Sequence, residues 1–191
     1  FGIDINRAAL GIAAFSLYLA ALELDEEVVT DIADLRFDRL IGTTLFEADS
    51  LEDDLPKAIA TTTFDAVVGN PPWTFISKEG GAPRRLKDDA ETLRPRRSPD
   101  RAFLLLGARL AGSSGRVGMV MKATPFFSKD THAIEASTFL LQRLAPVALI
   151  NLSYLRREEL FPDAVGPALL FFARCALGPD PERLLVGSIP W

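Results

Sequence analysis

Residues Phe64 to Trp73 read FDAVVGNPPW, a short apolar run that stops at Gly69-Asn70 and is closed by two prolines. An apolar run of this length bounded by turn residues fits a buried strand over Phe64 to Gly69. Proline has a fixed φ and no N–H, so the strand must end at Asn70. By average residue usage, Asn-Pro-Pro-aromatic arises by chance in roughly one chain of this length in several hundred. Its place directly behind a buried strand makes coincidence rarer still.

Strand-like and helix-like segments alternate on both sides of this stretch, the signature of an α/β domain with a mostly parallel sheet. Upstream, Phe1 to Ile5 reads as the end of a strand, Asn6 as a helix cap, and Ala8 to Leu24 as the apolar body of the helix. Asp31 to Arg39 reads as a second short helix and Thr43 to Ala48 as a strand. Asp53 to Ala60 reads as a short helical segment containing Pro56. Downstream, Asp100 to Leu110 reads as a helix entered at Ser98 or Pro99, Gly115 to Lys122 as a strand, and Asp130 to Leu144 as a helix. Val147 to Ser153 and Ala168 to Arg174 complete the strands. Trp73 to Ser98, polar and punctuated by Gly80, Gly81, Pro83 and Pro95, reads as a long loop. Loops this long are usually functional or disordered.

The chain has 191 residues, 48% hydrophobic and 25% charged, a size and composition that suit one domain with a single core. The apolar run from Ala8 to Leu22 falls short of the ~20 residues a membrane span needs, so it reads as a buried helix. No secretory signal is visible. One cysteine, Cys175, rules out an intramolecular disulfide, and one histidine, His132, leaves no Cys/His metal cluster. Cys175 reads as a core filler at a strand end, and His132 as a surface residue near a helix start. These features point to an intracellular chain without structural metal. The net charge of −5 argues against a general nucleic-acid coat protein but not against an enzyme with local positive charge.

In open α/β sheets, ligands bind beyond the carboxyl ends of the strands. That rule selects Asp4-Ile5, Asp49-Ser50-Leu51, Asn70 to Trp73, and Lys122 to Thr124. Asp and Asn are also common turn formers, so only the third stretch is distinctive. Its chemistry suits methyl transfer to an aromatic amine. The lone pair of such an amine is delocalised into the ring, and the nitrogen attacks only as it becomes more tetrahedral. The Asn70 side-chain oxygen and the Pro71 carbonyl could each accept one N–H and favour that geometry without titrating. Pro71 and Pro72 stiffen the carbonyls and add no competing donor. Trp73 offers a flat face on which a base can stack. The alternative is a rigid turn with Trp73 packed in the core.

These residues, in this order, resemble the S-adenosylmethionine-dependent amino-methyltransferases of nucleic acids, in particular the N6-adenine DNA methyltransferases of restriction-modification type. The resemblance covers residues 1 to 175. FGIDIN resembles the segment after the family's second strand, which implies ribose binding by Asp4 and packing of Ile5 on the cofactor adenine. FEADSL resembles the third-strand segment, implying that Asp49 accepts from the cofactor's exocyclic amine and that Leu51 packs nearby. GNPPW is similar to the catalytic segment, implying catalytic roles for Asn70, Pro71, Pro72 and Trp73. SPDRAFLLLGARL and GRVGMVMKATPFFS resemble the following helix and strand. LFPDAVGPALLFFAR resembles the late segment in which an aromatic, here Phe161, holds the target base. Read alone, Asp4 and Asp49 serve equally as helix-start or turn acids, and Phe161 as a core aromatic.

The resemblance implies a Rossmann-like class I methyltransferase fold, its strands ordered 3-2-1-4-5-7-6 with an antiparallel last strand. No G-x-G sequence occurs, and the chain opens on Phe1 in mid-strand. The expectation is therefore a catalytic domain over 1–191 that lacks the first strand and its cofactor-binding glycine loop. Only 20 residues lie between Asp49 and Asn70, so a DNA-recognition domain is expected after Trp191. Lys78 to Arg101 carries a net charge of +3. Its Arg84, Arg85, Arg96 and Arg97 could contact phosphates, or the loop could simply be solvated. The implied activity is N6 methylation of an adenine flipped out of double-stranded DNA, with S-adenosylmethionine as cofactor. The implied setting is a prokaryotic cytoplasm, in restriction-modification or phage defence, with a possible nuclease or specificity partner and no membrane. Methylation of rRNA or of a protein glutamine, a nucleotide-binding dehydrogenase, and a DNA-binding subunit without turnover are the rival readings. Asn-Pro-Pro-Trp has no role in the dehydrogenase.

Overall fold

The computed structural model describes residues 1–24, 36–52, 54–73, 99–152, 167–175 and 184–188. The chain folds as two compact units, Phe1–Thr62 and Thr63–Trp191.

In the first unit, β1 (Gly2–Asp4) leads into helix α1 (Arg7–Leu24). Asn6 caps the helix as expected, its side-chain oxygen accepting from the N–H groups of Ala8 at 2.9 Å and Ala9 at 3.3 Å. After α1 the chain returns through β2 (Leu45–Glu47), which lies parallel to β1 with Asp4 opposite Glu47. Leu10 and Ala14, four apart and so on one helix face, pack with Leu45 into a small core flanked by Tyr18, Leu40 and Ile41. The Tyr18 hydroxyl donates to the Asp38 carbonyl at 2.9 Å and accepts from the Leu40 N–H at 3.3 Å, tying the return segment to the helix. The expectation of a buried helix is not met. Only Leu10 and Ala14 of α1 are buried, while Ile12 and Phe15 are 69% and 62% exposed. By length and composition alone, α1 is long and apolar enough to cross a membrane. The short helix α2 spans Lys57–Ala60; of the segment expected from Asp53, Asp53 lies outside the described residues and Asp54 and Leu55 carry no regular structure, as suits a stretch ahead of Pro56, which disfavours the helical region for the residue before it. Of the helix read over Asp31 to Arg39, residues 31–35 lie outside the described residues, and Arg36 to Arg39 carry no regular structure.

The second unit is a five-stranded sheet in the order β3-β4-β6-β5-β7. Its strands are β3 (Ala66–Gly69), β4 (Arg116–Lys122), β5 (Ala145–Asn151), β6 (Ala168–Arg174) and β7 (Leu185–Ser188). β3 and β4 run parallel, which demands a crossover, and helix α3 (Pro99–Ala111) belongs to it. Alternate residues of β4, Val117, Met119 and Met121, are buried, the period-2 signature of a strand with one covered face. Gly107 lets α3 approach that face: a β-carbon there would stand 2.7 Å from Met119 Cε and 3.2 Å from Val117 Cγ2. The turn back into β4 needs two more glycines. Gly112 has φ +65, the left-handed conformation that ends helices. A β-carbon on Gly115 would collide with the carbonyl oxygens of Ala111 at 2.3 Å and Phe64 at 2.8 Å.

β4 leads into the short helix α4 (Thr124–Phe127), which the sequence pattern does not separate from the strand's tail, and then α5 (Thr131–Arg143). Asp130 caps α5 by accepting from the Ala133 N–H at 3.1 Å. β6 inserts between β4 and β5, antiparallel to both. Beside β3 this gives the 4-5-7-6 half of the expected order, and β1 beside β2 gives its 2-3 pair. Among the described residues, β1 and β3 are each paired along one edge. The antiparallel strand is not the last in the chain. β7 follows it and runs parallel to β5; its four residues, LVGS, are too few to display a pattern. Cys175 closes β6 as a buried free thiol, and burial pushes its pKa up. His132 is exposed in the first turn of α5, 3.4 Å from Glu135.

Candidate functional site

The sequence-selected residues gather at strand ends, as two groups in different units. In the first unit, β1 and β2 are parallel, so Asp4-Ile5 and Asp49 to Leu51 leave the sheet at the same end. The Ala48 N–H donates to the Asp4 carbonyl at 3.2 Å, which ties the two exits together. One carboxylate oxygen of Asp4 accepts from the Asn6 N–H at 2.7 Å, so this acid also shapes the helix start. Asp49 accepts from the N–H groups of Leu51 at 2.9 Å and Glu52 at 3.3 Å, an Asx turn that orients its side chain. Ile5 is 68% exposed and presents an apolar surface beside Asp4, whereas Leu51 is 2% exposed and has almost none to offer.

In the second unit, the parallel ladder of β3 and β4 stops at Gly69 opposite Met119. Asn70 follows, exposed, with no side-chain hydrogen bond among the described residues. Pro71 is buried, Pro72 exposed and Trp73 half-buried. β4 runs three residues further than its partner, because two prolines cannot supply the N–H groups that would continue the ladder. Side chains take over along that edge. The Trp73 indole N–H donates to the Val120 carbonyl at 3.2 Å. The Lys122 N–H donates to an Asp100 carboxylate oxygen at 3.1 Å. On its opposite edge β4 stays paired with β6 as far as Lys122 and Ala168.

Asp100 and Arg101 are legible in the sequence as charges at a helix start beside the long loop, but not as buried residues. Both lie in the first turn of α3 and are buried, at 0% and 7% exposure. Arg101, the last cation of the positive stretch Lys78 to Arg101, is therefore not open to solvent as a loop charge would be: its side chain packs inside the unit. Burial pushes its pKa below the ordinary value, and the charges of Asp100 and Asp130 oppose that shift. Its Nε has no hydrogen-bond partner among the described residues. A run of apolar residues directly after Asp100-Arg101 is the available signal that this turn is drawn into the core. Arg84, Arg85, Arg96, Arg97 and Phe161 lie outside the described residues.

The model of the Eco57I restriction-modification methylase family matches residues 1–155. No curated protein matches the chain. Among solved structures, a protein from Listeria monocytogenes described as a class I S-adenosylmethionine-dependent methyltransferase is similar at 16% identity, with a TM-score of 0.58 over 98% of this chain and 48% of its own. The methyltransferase subunit of a type I restriction-modification system from Streptococcus thermophilus is similar at 22% identity, with a TM-score of 0.61 over 92% of this chain and 33% of its own. A structure concerned with complex assembly in a type I restriction-modification system is similar at 16% identity, with a TM-score of 0.57 over 100% of this chain and 40% of its own. The chain thus spans less than half the length of each, and its fold is that of the class I methyltransferases.

Proposed function

The chain belongs to the Eco57I restriction-modification methylase family, and from that premise we propose that it carries the reacting centre of a DNA methyltransferase acting on the N6 amine of adenine. The observation that carries this reading is Asn70 at the end of β3, exposed and without a side-chain hydrogen bond among the described residues, followed by Pro71-Pro72-Trp73. An amide oxygen so placed accepts an N–H of the target amine, and the Pro71 carbonyl accepts the other. Trp73, its ring held through the Val120 carbonyl, gives the extruded base a face to stack on. Neither acceptor titrates, so the site itself imposes no steep pH dependence near neutrality.

The residues of the first unit fit a nucleoside-bearing cofactor. Two carboxylates at neighbouring strand exits can accept hydroxyl or amine protons, and Ile5 provides an apolar surface beside them. Asp4 would take the ribose hydroxyls, Ile5 the adenine face and Asp49 the exocyclic amine. Leu51, nearly fully buried, contributes its N–H to orient Asp49 rather than a packing surface. S-adenosylmethionine supplies, when bound, a methyl group made electrophilic by its sulfonium. In this reading Phe161 helps hold the base, and Arg84, Arg85, Arg96 and Arg97 contact phosphates of double-stranded DNA. The setting is cytoplasmic, in restriction-modification or phage defence, alongside a nuclease or specificity domain or subunit.

The test is methyl transfer from labelled S-adenosylmethionine to DNA by the full-length protein, beside its Asn70→Ala variant. The variant is expected to lose about 2.7–4 kcal/mol of transition-state stabilisation, by analogy with loss of one oxyanion-hole donor. Cofactor and DNA binding should survive. Near-wild-type turnover in the variant would remove Asn70 from the chemistry, and label appearing in rRNA or protein instead of DNA would redirect the substrate.

A further inference from the structure

We infer that Asp100 is a positioning residue for the Asn70–Trp73 segment, acting through the end of β4; the inference rests on that segment being the reacting site. Past Gly69, the β3 ladder no longer covers the edge of β4. Along a strand, the N–H and C=O of alternate residues point to the same side. The Ala123 N–H, one residue beyond β4, donates to the Pro167 carbonyl, on the β6 side. The Val120 carbonyl and the peptide groups of Lys122 therefore face the side on which β3 has already ended. Buried main-chain polar groups left without partners destabilise a fold, so each needs a substitute.

The two substitutes come from different places in the chain. Trp73, 47 residues from Val120, caps its carbonyl, and Asp100, 22 residues from Lys122, caps its N–H. The two capped groups are two residues apart on one short stretch of backbone. Whatever fixes Lys122 thereby fixes Val120, and with it the plane of the Trp73 ring. Asp100 is suited to the task. It is 0% exposed, so its bond to the Lys122 N–H is not shared with bulk water. A carboxylate accepting a main-chain N–H makes a charge-assisted bond, stronger than a neutral one. Its charge is offset by the N-terminal end of α3 and by the adjacent Arg101. A residue in the first turn of a helix, anchored by the sheet on which that helix packs, is also a stiff mount.

The test follows the Trp73 ring directly. Full-length protein labelled with 5-fluorotryptophan gives a fluorine signal for Trp73, identified as the one that disappears in Trp73→Phe. Asp100→Ala is expected to shift or broaden that signal and to lower kcat at least tenfold, with the Kd for S-adenosylmethionine changed less than twofold. Misplacement of a reacting geometry by about 1 Å costs on the order of 10²-fold in rate. Asp100→Asn, whose amide oxygen can accept the same N–H, should return the signal and most of the turnover. Asp100→Glu keeps the charge but lengthens the side chain, so it should displace the signal; this variant decides the matter if Asp100→Ala does not fold. A Trp73 signal unmoved by Asp100→Ala or Asp100→Glu overturns the inference. So does a moved signal with turnover unchanged. The fluorine signal does not depend on the methyl acceptor. If the wild-type protein modifies something other than DNA, the proposed substrate fails while the signal still decides the role of Asp100.

Discussion

Replacing Trp73 by Phe and by Ala separates two contributions of one side chain. The indole N–H donates to the Val120 carbonyl at 3.2 Å, and a hydrogen bond of this kind contributes about 0.5–1.5 kcal/mol net. The ring face, if it carries the base, contributes about 1–3 kcal/mol by stacking. Phe keeps a face and loses the N–H, so Trp73→Phe is expected to cost about 1 kcal/mol, or roughly fivefold in kcat/KM. Ala loses both contributions, together about 1.5–4.5 kcal/mol, or roughly 10- to 2,000-fold. The assay is methyl transfer to DNA at subsaturating substrate by the full-length protein, with thermal unfolding to show that both variants remain folded. Intermediate activity for Phe is the expected result. Equal loss in Phe and Ala would mean that the face does nothing and that Trp73 matters only as a tie to β4. Wild-type activity in Phe would instead show that the bond to Val120 is dispensable, and would weaken the case for Asp100 with it.

Gly115→Ala should destabilise the protein by about 1–3 kcal/mol, because the new methyl meets two main-chain oxygens that cannot step aside; a chemical-denaturation midpoint equal to wild type would contradict the packing of that turn. Neutralising Arg84, Arg85, Arg96 and Arg97 together should weaken DNA binding and flatten its dependence on salt, the slope falling by up to ~0.9 for each phosphate the protein no longer neutralises. An unchanged slope would assign those arginines to solvent.

Local chemistry carries much of the architecture. Ala168–Arg174 is legible from its own residues, because six consecutive apolar residues, Ala168 to Ala173, closed by Arg174 fit a buried strand. α5 is legible through its cap, since Asp130 and the spacing of buried Ala133, Ala136 and Leu140 both belong to the helix and its first turn. The end of β3 can be read to the residue, because proline's missing N–H is a property of the residue and not of its surroundings. The start of α2 is read too early because Asp54 and Leu55 are compatible with a helix by composition, although Pro56 disfavours the helical region for the residue before it.

Tertiary structure decides everything that depends on which segments meet. Periodicity shows that one face of a segment is buried, but not what buries it. Hence the apolar body of α1 promises a buried helix, while in the folded chain two of its residues are buried and the opposite face is open. β7 is invisible in the sequence because four residues ending in Gly-Ser take their strand geometry from β5 alongside them. Asp100 reads as an acid at a helix start and Trp73 as an open aromatic face. That one caps Lys122 and the other Val120 follows from bonds spanning 22 and 47 residues. The chemistry proposed for Asn70-Pro71-Pro72-Trp73 is read from sequence, since it rests on the donors and acceptors of four adjacent residues. The stiffness inferred to aim it rests on an edge of β4 that β3 no longer reaches, and only folding brings that edge and its two caps together.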